Sequence, residues 1–492
     1  MLFNSYVYIL AFLPISLAVY WLLLRLRYVT IAKLWLTAAS FYFYGWWNIR
    51  YVPILVVSIL FNYAVGVWLA AHAPAHTAGK DAKAQGRDDQ DHQGGASRRR
   101  GGRSRTERAR RLMLAFGIAA NVSLLAYFKY MDFFIENVNY LFHTGWDLLG
   151  IVLPIGISFY TFTQIAYLAD AYKGEVRGNS LLNYALFVVF FPQLIAGPIL
   201  HHREMMPQFA DQSNYKVNSR NFALGLTIFA AGLVKKVIIA DTLAPIASYG
   251  FDEATTLTLV EAWITSLSYS FQLYFDFSGY TDMAIGAALL FNIKLPFNFD
   301  SPYKSLNIQV FWRRWHMTLG RFLMNYIYIP LGGNRRGHAR TYLNLMVTFL
   351  IGGFWHGAGW TFIFWGFLHG AALVVHRIWK RIGMQMPKLV AWFLTFQFVN
   401  ASWVFFRAKE WEDAIKVLRG MVNFESIGLG SVTWTSMALV FGAFVLAIAF
   451  RNTNEWQTSF RPRVYFAAAV AAGMMLALIR MNRISEFLYF NF

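Results

Sequence analysis

The sequence contains no cysteine, and only 14% of its 492 residues are charged. Without cysteine the chain has no disulfide framework, no thiolate metal ligand and no thiol nucleophile. Soluble proteins carry about 25% charged residues, so the low charge content excludes an ordinary cytosolic enzyme and a disordered protein. Hydrophobic residues make up 57% of the chain and aromatic residues 18%. This composition is typical of a protein embedded in a membrane.

Acidic residues are scarce, since 25 Asp and Glu stand against 44 Lys and Arg and the formal net charge is +19. A strongly basic protein often binds nucleic acid. In a polytopic membrane protein, however, Lys and Arg collect in the cytoplasmic loops because they fix the topology. The basic residues here separate apolar segments, so we expect membrane lipid around the chain and no nucleic-acid partner.

Long apolar stretches recur along the chain. A membrane-spanning helix needs about 20 predominantly apolar residues. The first candidate runs from about Tyr6 to Leu24, and we interpret it as a retained span because it lacks the basic start and the cleavage site of a signal peptide. Roughly a dozen hydrophobic stretches can be counted on the length criterion, several of them short or broken by Gly and Pro. The sequence therefore predicts an all-α, polytopic membrane protein with transmembrane and re-entrant helices.

The distribution of basic residues predicts the orientation. Arg25, Arg27 and Lys33 follow the first span, whereas Arg50 is the lone basic residue after the second. A dense run of arginines lies within 98–111, after the third span. Cytoplasmic loops are the ones enriched in Lys and Arg, so the first and third loops should face the cytoplasm and the N-terminus should face outward.

One segment, 73–111, breaks the apolar pattern. It is rich in Gly, Ala, Gln, Asp and Arg and nearly free of large apolar residues, which predicts a disordered cytoplasmic loop. The segment separates N-terminal transmembrane helices at 1–72 from a central part at 112–410, and further transmembrane helices follow at 411–492.

Two carboxylates lie in an otherwise apolar stretch, LYFDFSGYTDMAIG. Ionisable groups inside a membrane are costly and usually mark function or a protein-lined cavity. Asp276 and Asp282 are six residues apart, so in a regular helix they point to different faces. This spacing favours a structural polar network over an acid/base pair.

A second group of polar residues lies in the segment 307–324, which prolines on both sides isolate. It mixes apolar residues with Arg313, Arg314 and His316 and is typical of an amphipathic or re-entrant helix. Arg335 follows in the loop LGGNRRG. Arginine forks suit phosphate oxygens, so these arginines are candidates for binding a polyanionic substrate. A purely topological role in a cytoplasmic loop explains them equally well.

His356 lies between two apolar runs and is surrounded by glycines, in FLIGGFWHGAG. Glycine lets helices break or another backbone approach, and an imidazole can act as a general base near neutral pH. A lone histidine is more often a packing residue, and that alternative stays open for His356. We favour it for His369, which lies in the next apolar run.

Three motifs resemble the membrane-bound O-acyltransferase family: WRRWH at 312–316, YIYIPLGGNR at 326–335 and FWHGAGWTFIFWGFLHG at 354–370. LPIGISFYTF, LIAGPI and LYFDFSGYTDMAIG are similar to its bacterial branch, which includes proteins of alginate, cellulose and peptidoglycan O-acetylation and of D-alanyl transfer to teichoic acid. The resemblance covers about 1–72 and 112–410, and 112–410 would be the catalytic core.

The resemblance implies helices around a central funnel or tunnel, with His356 as the catalytic residue and His316 as its partner. It implies acetyl-CoA as the acyl donor and no tightly bound cofactor. The acceptor would be a periplasmic protein or a polysaccharide such as alginate or cellulose, reached from a multi-pass protein of the bacterial inner membrane. His356 would be the general base, and His316 would orient the acceptor or stabilise the oxyanion. Asn325 or Asn344 could assist.

Two alternatives stay open. D-alanyl transfer from a carrier protein would need a protein-docking surface in place of a CoA site. A transporter or flippase of an acylated lipid or glycan would use Asp276 and Asp282 as coupling groups.

Overall fold

The computed structural model describes residues 1–73, 96–176, 180–195, 197–461, 463–481 and 488. Within these ranges the chain is helical and contains no β-strand. The predicted all-α class is therefore confirmed. Contacts between Cα atoms divide the chain into two compact units: Met1–Ala18, Ala196–Pro198 and Val217–Phe492 form the first, and Val19–Ile195 with Ile199–Lys216 forms the second.

A π-helical segment, Val7–Phe12, belongs to the first unit and continues into α1 (Leu13–Arg25), whose second half, from Val19, belongs to the second unit. The other helices of the second unit are α2 (Val29–Gly45), α3 (Val52–Ala71), α4 (Ala96–Phe142), α5 (Ile157–Tyr172), α6 (Leu181–Val189), α7 (Phe191–Leu194) and α8 (His202–Ala210). Buried amides join three of them. Asn62 on α3 and Asn121 on α4 exchange side-chain hydrogen bonds of 3.1 and 2.7 Å. Ser58 on α3 donates to Gln164 on α5 at 2.8 Å. Inside a membrane the hydrophobic effect does not drive helices together, so polar contacts of this kind contribute to their association.

The prediction of a disordered loop at 73–111 is wrong from Ala96 onward. Residues 96–111 form the first turns of α4, which runs without a break to Phe142. Arginine is a good helix former, so an arginine-rich stretch can extend an apolar helix. The ion pair of Arg110 with Glu107, at 3.1 Å, also supports the helix. Residues 74–95 of the expected loop lie outside the described residues.

The first unit contains the remaining helices. They are α9 (Ser219–Val234), α10 (Asp241–Ser248), α11 (Leu259–Leu290), α12 (Ile308–Arg314), α13 (Met317–Leu323), α14 (Gly337–His356), α15 (Trp360–Ile382), α16 (Lys388–Arg407), α17 (Trp411–Met421), α18 (Trp434–Ala449), α19 (Thr453–Ser459) and α20 (Val464–Arg480). A π-helical segment, Lys235–Ala240, joins α9 to α10. Another, Met324–Tyr328, follows α13.

Helix α11 is the buried centre of the first unit. It starts at a capping box, in which Thr258 and Glu261 satisfy each other's backbone N–H groups. Nearly every residue from Glu261 to Leu290 is buried. Helix α9 approaches it through glycines, because a Cβ atom added to Gly232 would lie 2.5 Å from the carbonyl oxygen of Gly279. Small residues at this crossing let the two backbones touch.

Within the part of the chain that the structure describes, six helical segments are long and apolar enough to cross a membrane: Val7–Arg25, Ile49–Ala71, Arg105–Phe142, Ser219–Glu253, Trp360–Ile382 and Lys388–Arg407. Two shorter apolar helices are Trp434–Ala449 and Val464–Arg480. The count from sequence is higher because it includes short stretches and α11. That helix is 32 residues long but rich in Ser, Thr, Tyr and Gln. A polytopic membrane protein nevertheless fits this set of helices.

Candidate active site

The two carboxylates of α11 form ion pairs with neighbouring lysines. Lys236 Nζ lies 2.5 Å from an oxygen of Asp276 and 2.8 Å from one of Asp241. Lys235 Nζ lies 2.6 Å from an oxygen of Asp282. The π-helical segment thus directs two consecutive lysines to two different aspartates of α11. These contacts agree with the interpretation of the aspartates as a structural network, and buried charges of this kind need their partners.

His316 lies where α12 has ended and α13 begins. Its side chain is fully buried, and its φ of +43° puts the backbone in the left-handed region, which a residue other than glycine adopts at a cost. The ring stands edge-to-face on Phe277 of α11, with centroids 4.8 Å apart. The turn at 315–316 therefore places the imidazole against the centre of the unit.

Asn298 holds this turn in place, and the sequence reasoning missed it. Its side-chain oxygen accepts the backbone N–H of Thr318 at 3.2 Å and the Thr318 hydroxyl at 2.6 Å. It therefore caps α13 from outside the helix, since His316 makes no side-chain cap. The backbone N–H of Met317 also bonds the Asn298 carbonyl at 2.9 Å. The only signal in the sequence is one amide in the short segment between two prolines, LPFNFDSP.

The same oxygen determines which nitrogen of His316 carries the proton. His316 Nδ1 lies 3.3 Å from the Asn298 oxygen. The Thr318 backbone N–H can point only to an acceptor, which identifies this amide atom as oxygen and makes Nδ1 the donor. In the neutral ring the lone pair is then on Nε2. An imidazole in this tautomer can accept a proton or a hydrogen bond through Nε2.

His356 is the last residue of α14, and the chain turns at Gly357 towards α15. Only 3% of its surface is exposed. Three aromatic rings surround the imidazole: Trp355, Trp365 and Phe406 have centroids at 4.9, 5.1 and 5.1 Å. Gly357 is required for this packing, since a Cβ atom there would overlap the ring of Phe362.

Trp355 connects the two histidines that the sequence singled out. Its indole has ring centroid distances of 4.9 Å to His356 and 6.2 Å to His316. The two histidines are forty positions apart in the sequence, with His316 in the turn before α13 and His356 at the end of α14. The fold therefore brings the WRRWH and WHG motifs to one aromatic cluster, here called the histidine cluster: His316, Trp355, His356, Trp365 and Phe406.

His369 is a neighbour of this cluster with a different environment. The indole N–H of Trp312 donates to Nδ1 at 3.2 Å, and Nε2 lies 3.0 Å from the hydroxyl of Ser402. The Ser402 hydroxyl in turn donates to the Val399 carbonyl at 2.8 Å. The directions of these hydrogen bonds are consistent: Nδ1 accepts from Trp312, and Nε2–H donates to the hydroxyl of Ser402. This geometry is that of a packing residue that joins α12, α15 and α16.

The other predicted site residues are more scattered. The amide of Asn344 donates to the carbonyl of Gly333 at 2.9 Å, so it fixes the LGGNRRG loop to α14. Asn325 is half-buried in the π-helical segment after α13. Arg313 and Arg335 are exposed. Arg314 lies 3.9 Å from Asp300, and its carbonyl accepts the backbone N–H of that residue. The structure does not gather these side chains into a single cluster.

Among the cavities between described residues of the first unit are three with volumes of about 810, 720 and 380 Å³. Neither His316 nor His356 lines any of the three. Among the residues that the structure describes, no group of three or more His, Asp or Glu side chains could hold a metal ion. Both histidines of the histidine cluster are buried among aromatic rings.

Comparison with known proteins decides the family. The model of the membrane-bound O-acyltransferase family matches residues 106–407. The chain belongs to this family. A peptidoglycan O-acetyltransferase of Helicobacter pylori is 50% identical over 459 residues, which cover 87% of this chain and 81% of the relative. A protein of Azotobacter vinelandii named "Probable alginate O-acetylase AlgI" is 39% identical over 433 residues, covering 86% and 78%. A teichoic acid D-alanyltransferase of Streptococcus thermophilus is 26% identical over 243 residues, covering 46% and 57%.

Family membership confirms the predicted class of enzyme. The protein is an O-acyltransferase, and it is a multi-pass membrane protein. The matched region contains both histidine motifs, from the end of α12 to the start of α15. The roles of individual site residues remain predictions.

Proposed function

We propose that this O-acyltransferase moves an acetyl group from cytosolic acetyl-CoA across the inner membrane to a hydroxyl of a cell-surface glycan, or of a periplasmic protein that passes it on. The names of its similar relatives describe O-acetylation of peptidoglycan and alginate. The observation that carries the proposal for this chain is the histidine cluster, in which two buried imidazoles from two family motifs share contact with Trp355.

The chemistry follows from what an imidazole can do in a water-poor site. His356 accepts the proton of the acceptor hydroxyl as its oxygen attacks the thioester carbonyl. The tetrahedral intermediate collapses, the C–S bond breaks, and the leaving thiolate takes the proton back from the imidazolium. The products are an acetyl ester and the CoA thiol. His316 is suited to orient the acceptor or to donate to the oxyanion.

The burial of both rings adds a requirement. Because His356 is only 3% exposed, substrates reach it only when a neighbouring aromatic ring moves aside. Trp355 and Phe406 are candidates, since both face the imidazole. A closed resting site also protects the thioester from hydrolysis.

The acceptor is the less determined half of the reaction. Higher identity to the peptidoglycan enzyme than to the alginate enzymes favours peptidoglycan over an alginate- or cellulose-like exopolysaccharide. D-alanyl transfer is less favoured, because that relative matches under half of the chain. A transporter would need Asp276 and Asp282 as coupling groups, whereas both are paired with lysines.

The test uses membranes with the full-length protein, acetyl-labelled acetyl-CoA and the periplasmic and cell-wall fraction as acceptor. His356→Gln should reduce label transfer by about 100-fold or more, and His316→Ala should also reduce it. His72→Gln, at an exposed histidine, is the matched control and should transfer normally. Full transfer by folded His356→Gln protein would exclude the mechanism.

The acceptor and the orientation need separate measurements. Mass spectrometry of peptidoglycan and of exopolysaccharide, with and without the protein, should show loss of O-acetyl groups from one of them. A tag on Met1 should be accessible from the periplasmic side. Accessibility only from the cytosol would contradict the predicted topology.

A further inference from the structure

The segment between Asp300 and Glu410 contains no acidic residue. Several of its basic residues have ion-pair partners elsewhere, such as Arg407 with Asp252. A group at one end of the α14–α16 bundle has none among the ion pairs found in the described residues. The group consists of Arg335, Arg336, Arg340, Arg377, Lys380, Arg381 and Lys388. Because no acidic side chain pairs with this group among the ion pairs of the described residues, an anion from outside the chain can bind there.

Helix packing gathers part of this group around a cavity. Helices α14 and α15 run antiparallel, because Gly353 meets Gly366 and Met346 meets Gly370. The start of α14 therefore lies beside the end of α15. A cavity of about 380 Å³ forms there, and its lining contains no carboxylate. Its polar lining residues are Gln309, His338, Tyr342, His376, Arg377, Lys380 and Arg381. We name it the basic cavity.

A second cavity adjoins the first at a shared residue. It measures about 720 Å³ and lies between α12, α15 and α16, and His376 lines both cavities. Its wall is mainly apolar, including Ile308, Ala372, Val375, Trp379, Leu394 and Phe398. We name it the apolar cavity. The basic cavity next to the apolar cavity matches a molecule with an anionic head group and a hydrocarbon chain.

The position of the two cavities points to the membrane as the source of that molecule. Helices α15 and α16 are both long and apolar enough to span a bilayer. The basic residues of the cavity lie in the last turns of α15, at the level expected for lipid headgroups. Basic pockets between transmembrane helices on the cytoplasmic side bind anionic lipid headgroups. CoA matches less well, since its charged part would leave the apolar cavity unused.

We infer that an anionic phospholipid binds here, with its phosphate in the basic cavity and one acyl chain in the apolar cavity. The site lies at the end of α14 opposite His356 and shares α12 with the arginine motif of WRRWH. Bound lipid neutralises the basic end of α15 and fills the gap between α15 and α16. The inference does not depend on the acetyl-transfer reaction.

The experiment measures lipid binding to the purified full-length protein in detergent by native mass spectrometry. Dioleoyl phosphatidylglycerol should bind more tightly than dioleoyl phosphatidylcholine and should raise the melting temperature more. Arg381→Gln should weaken phosphatidylglycerol binding about fivefold, as expected for loss of one basic contact near a membrane surface. Arg340→Gln removes the same charge from α14 outside both cavities and is the matched control.

A second variant tests the apolar cavity without altering charge. Ala372→Phe fills the cavity and should weaken phosphatidylglycerol binding while leaving Arg381 in place. Equal binding of the two lipids by the wild-type protein would overturn the inference. Equal effects of Arg381→Gln and Arg340→Gln would also overturn it. Displacement of phosphatidylglycerol by CoA would reassign the basic cavity to the phosphates of the acyl donor.

Discussion

The side-chain oxygen of Asn298 lies 3.3 Å from Nδ1 of His316, in the turn that begins α13. The same oxygen accepts two bonds from Thr318. One amide therefore fixes both the left-handed turn and the tautomer of the imidazole. The two nitrogens of the ring therefore have different roles. Nδ1 holds the ring in position through its hydrogen bond to Asn298, and Nε2 carries the lone pair that can accept a proton.

Asn298→Ala should damage the site through His316. The substitution leaves the buried N–H of Thr318 without its acceptor, which should cost about 1–3 kcal/mol of stability. Acetyl transfer should fall further than the loss of folded protein explains, since the tautomer of His316 is no longer fixed. Thermal unfolding and transfer per folded molecule measure the two effects. Asn298→Asp keeps the acceptor and should restore the turn while changing the pH profile of transfer. If the pH profile of transfer is unchanged in Asn298→Asp, the imidazole of His316 does not take part in the reaction.

His369 should behave as a packing residue. Ser402→Ala removes the oxygen that faces Nε2 of His369, so a buried N–H loses its acceptor and stability should fall by about 1–3 kcal/mol. Transfer per folded molecule should stay near the wild-type value. Melting temperature and transfer rate, measured on the same preparation, distinguish this from a catalytic defect. A normal melting temperature with lost transfer would instead place His369 in the reaction.

Glycines between α14 and α15 should be needed for the position of His356. A Cβ atom on Gly353 would lie 2.4 Å from the Phe362 carbonyl oxygen, and one on Gly366 the same distance from that of Phe349. Gly353→Ala and Gly366→Ala should therefore push the helices apart and lower both the yield of folded protein and transfer. Gly442→Ala on α18 is the control, because nothing lies within 4 Å of the added atom. Similar losses in all three variants would mean that helical glycine itself, and not the close approach, is required.

Much of this architecture could be predicted from local sequence. Apolar length indicated a polytopic helical protein, and glycines around His356 indicated a special site at the end of a helix. Asn298 could not be found in this way, because its contact with His316 spans eighteen residues and arises only in the folded turn. The shared contact of Trp355 with both histidines is also tertiary. The prediction of a disordered loop at residues 96–111 was wrong because composition shows the charge of a segment but not whether a neighbouring helix continues through it.

The lysines of the π-helical segment should be essential to stability and not to proton coupling. Lys236→Met leaves Asp276 as a buried charge without the partner that lies 2.5 Å away, and breaking such a pair costs about 3–5 kcal/mol. Lys236→Met combined with Asp276→Leu removes both charges of this pair and leaves the part-exposed carboxylate of Asp241. The double variant should recover much of that loss, because an apolar pair of similar volume is often tolerated. Chemical unfolding in detergent measures both. If the double variant is stable and still transfers acetyl groups, Asp276 is a structural residue. Loss of transfer in a fully stable double variant, together with proton-dependent glycan flux in the wild type, would favour the transporter alternative.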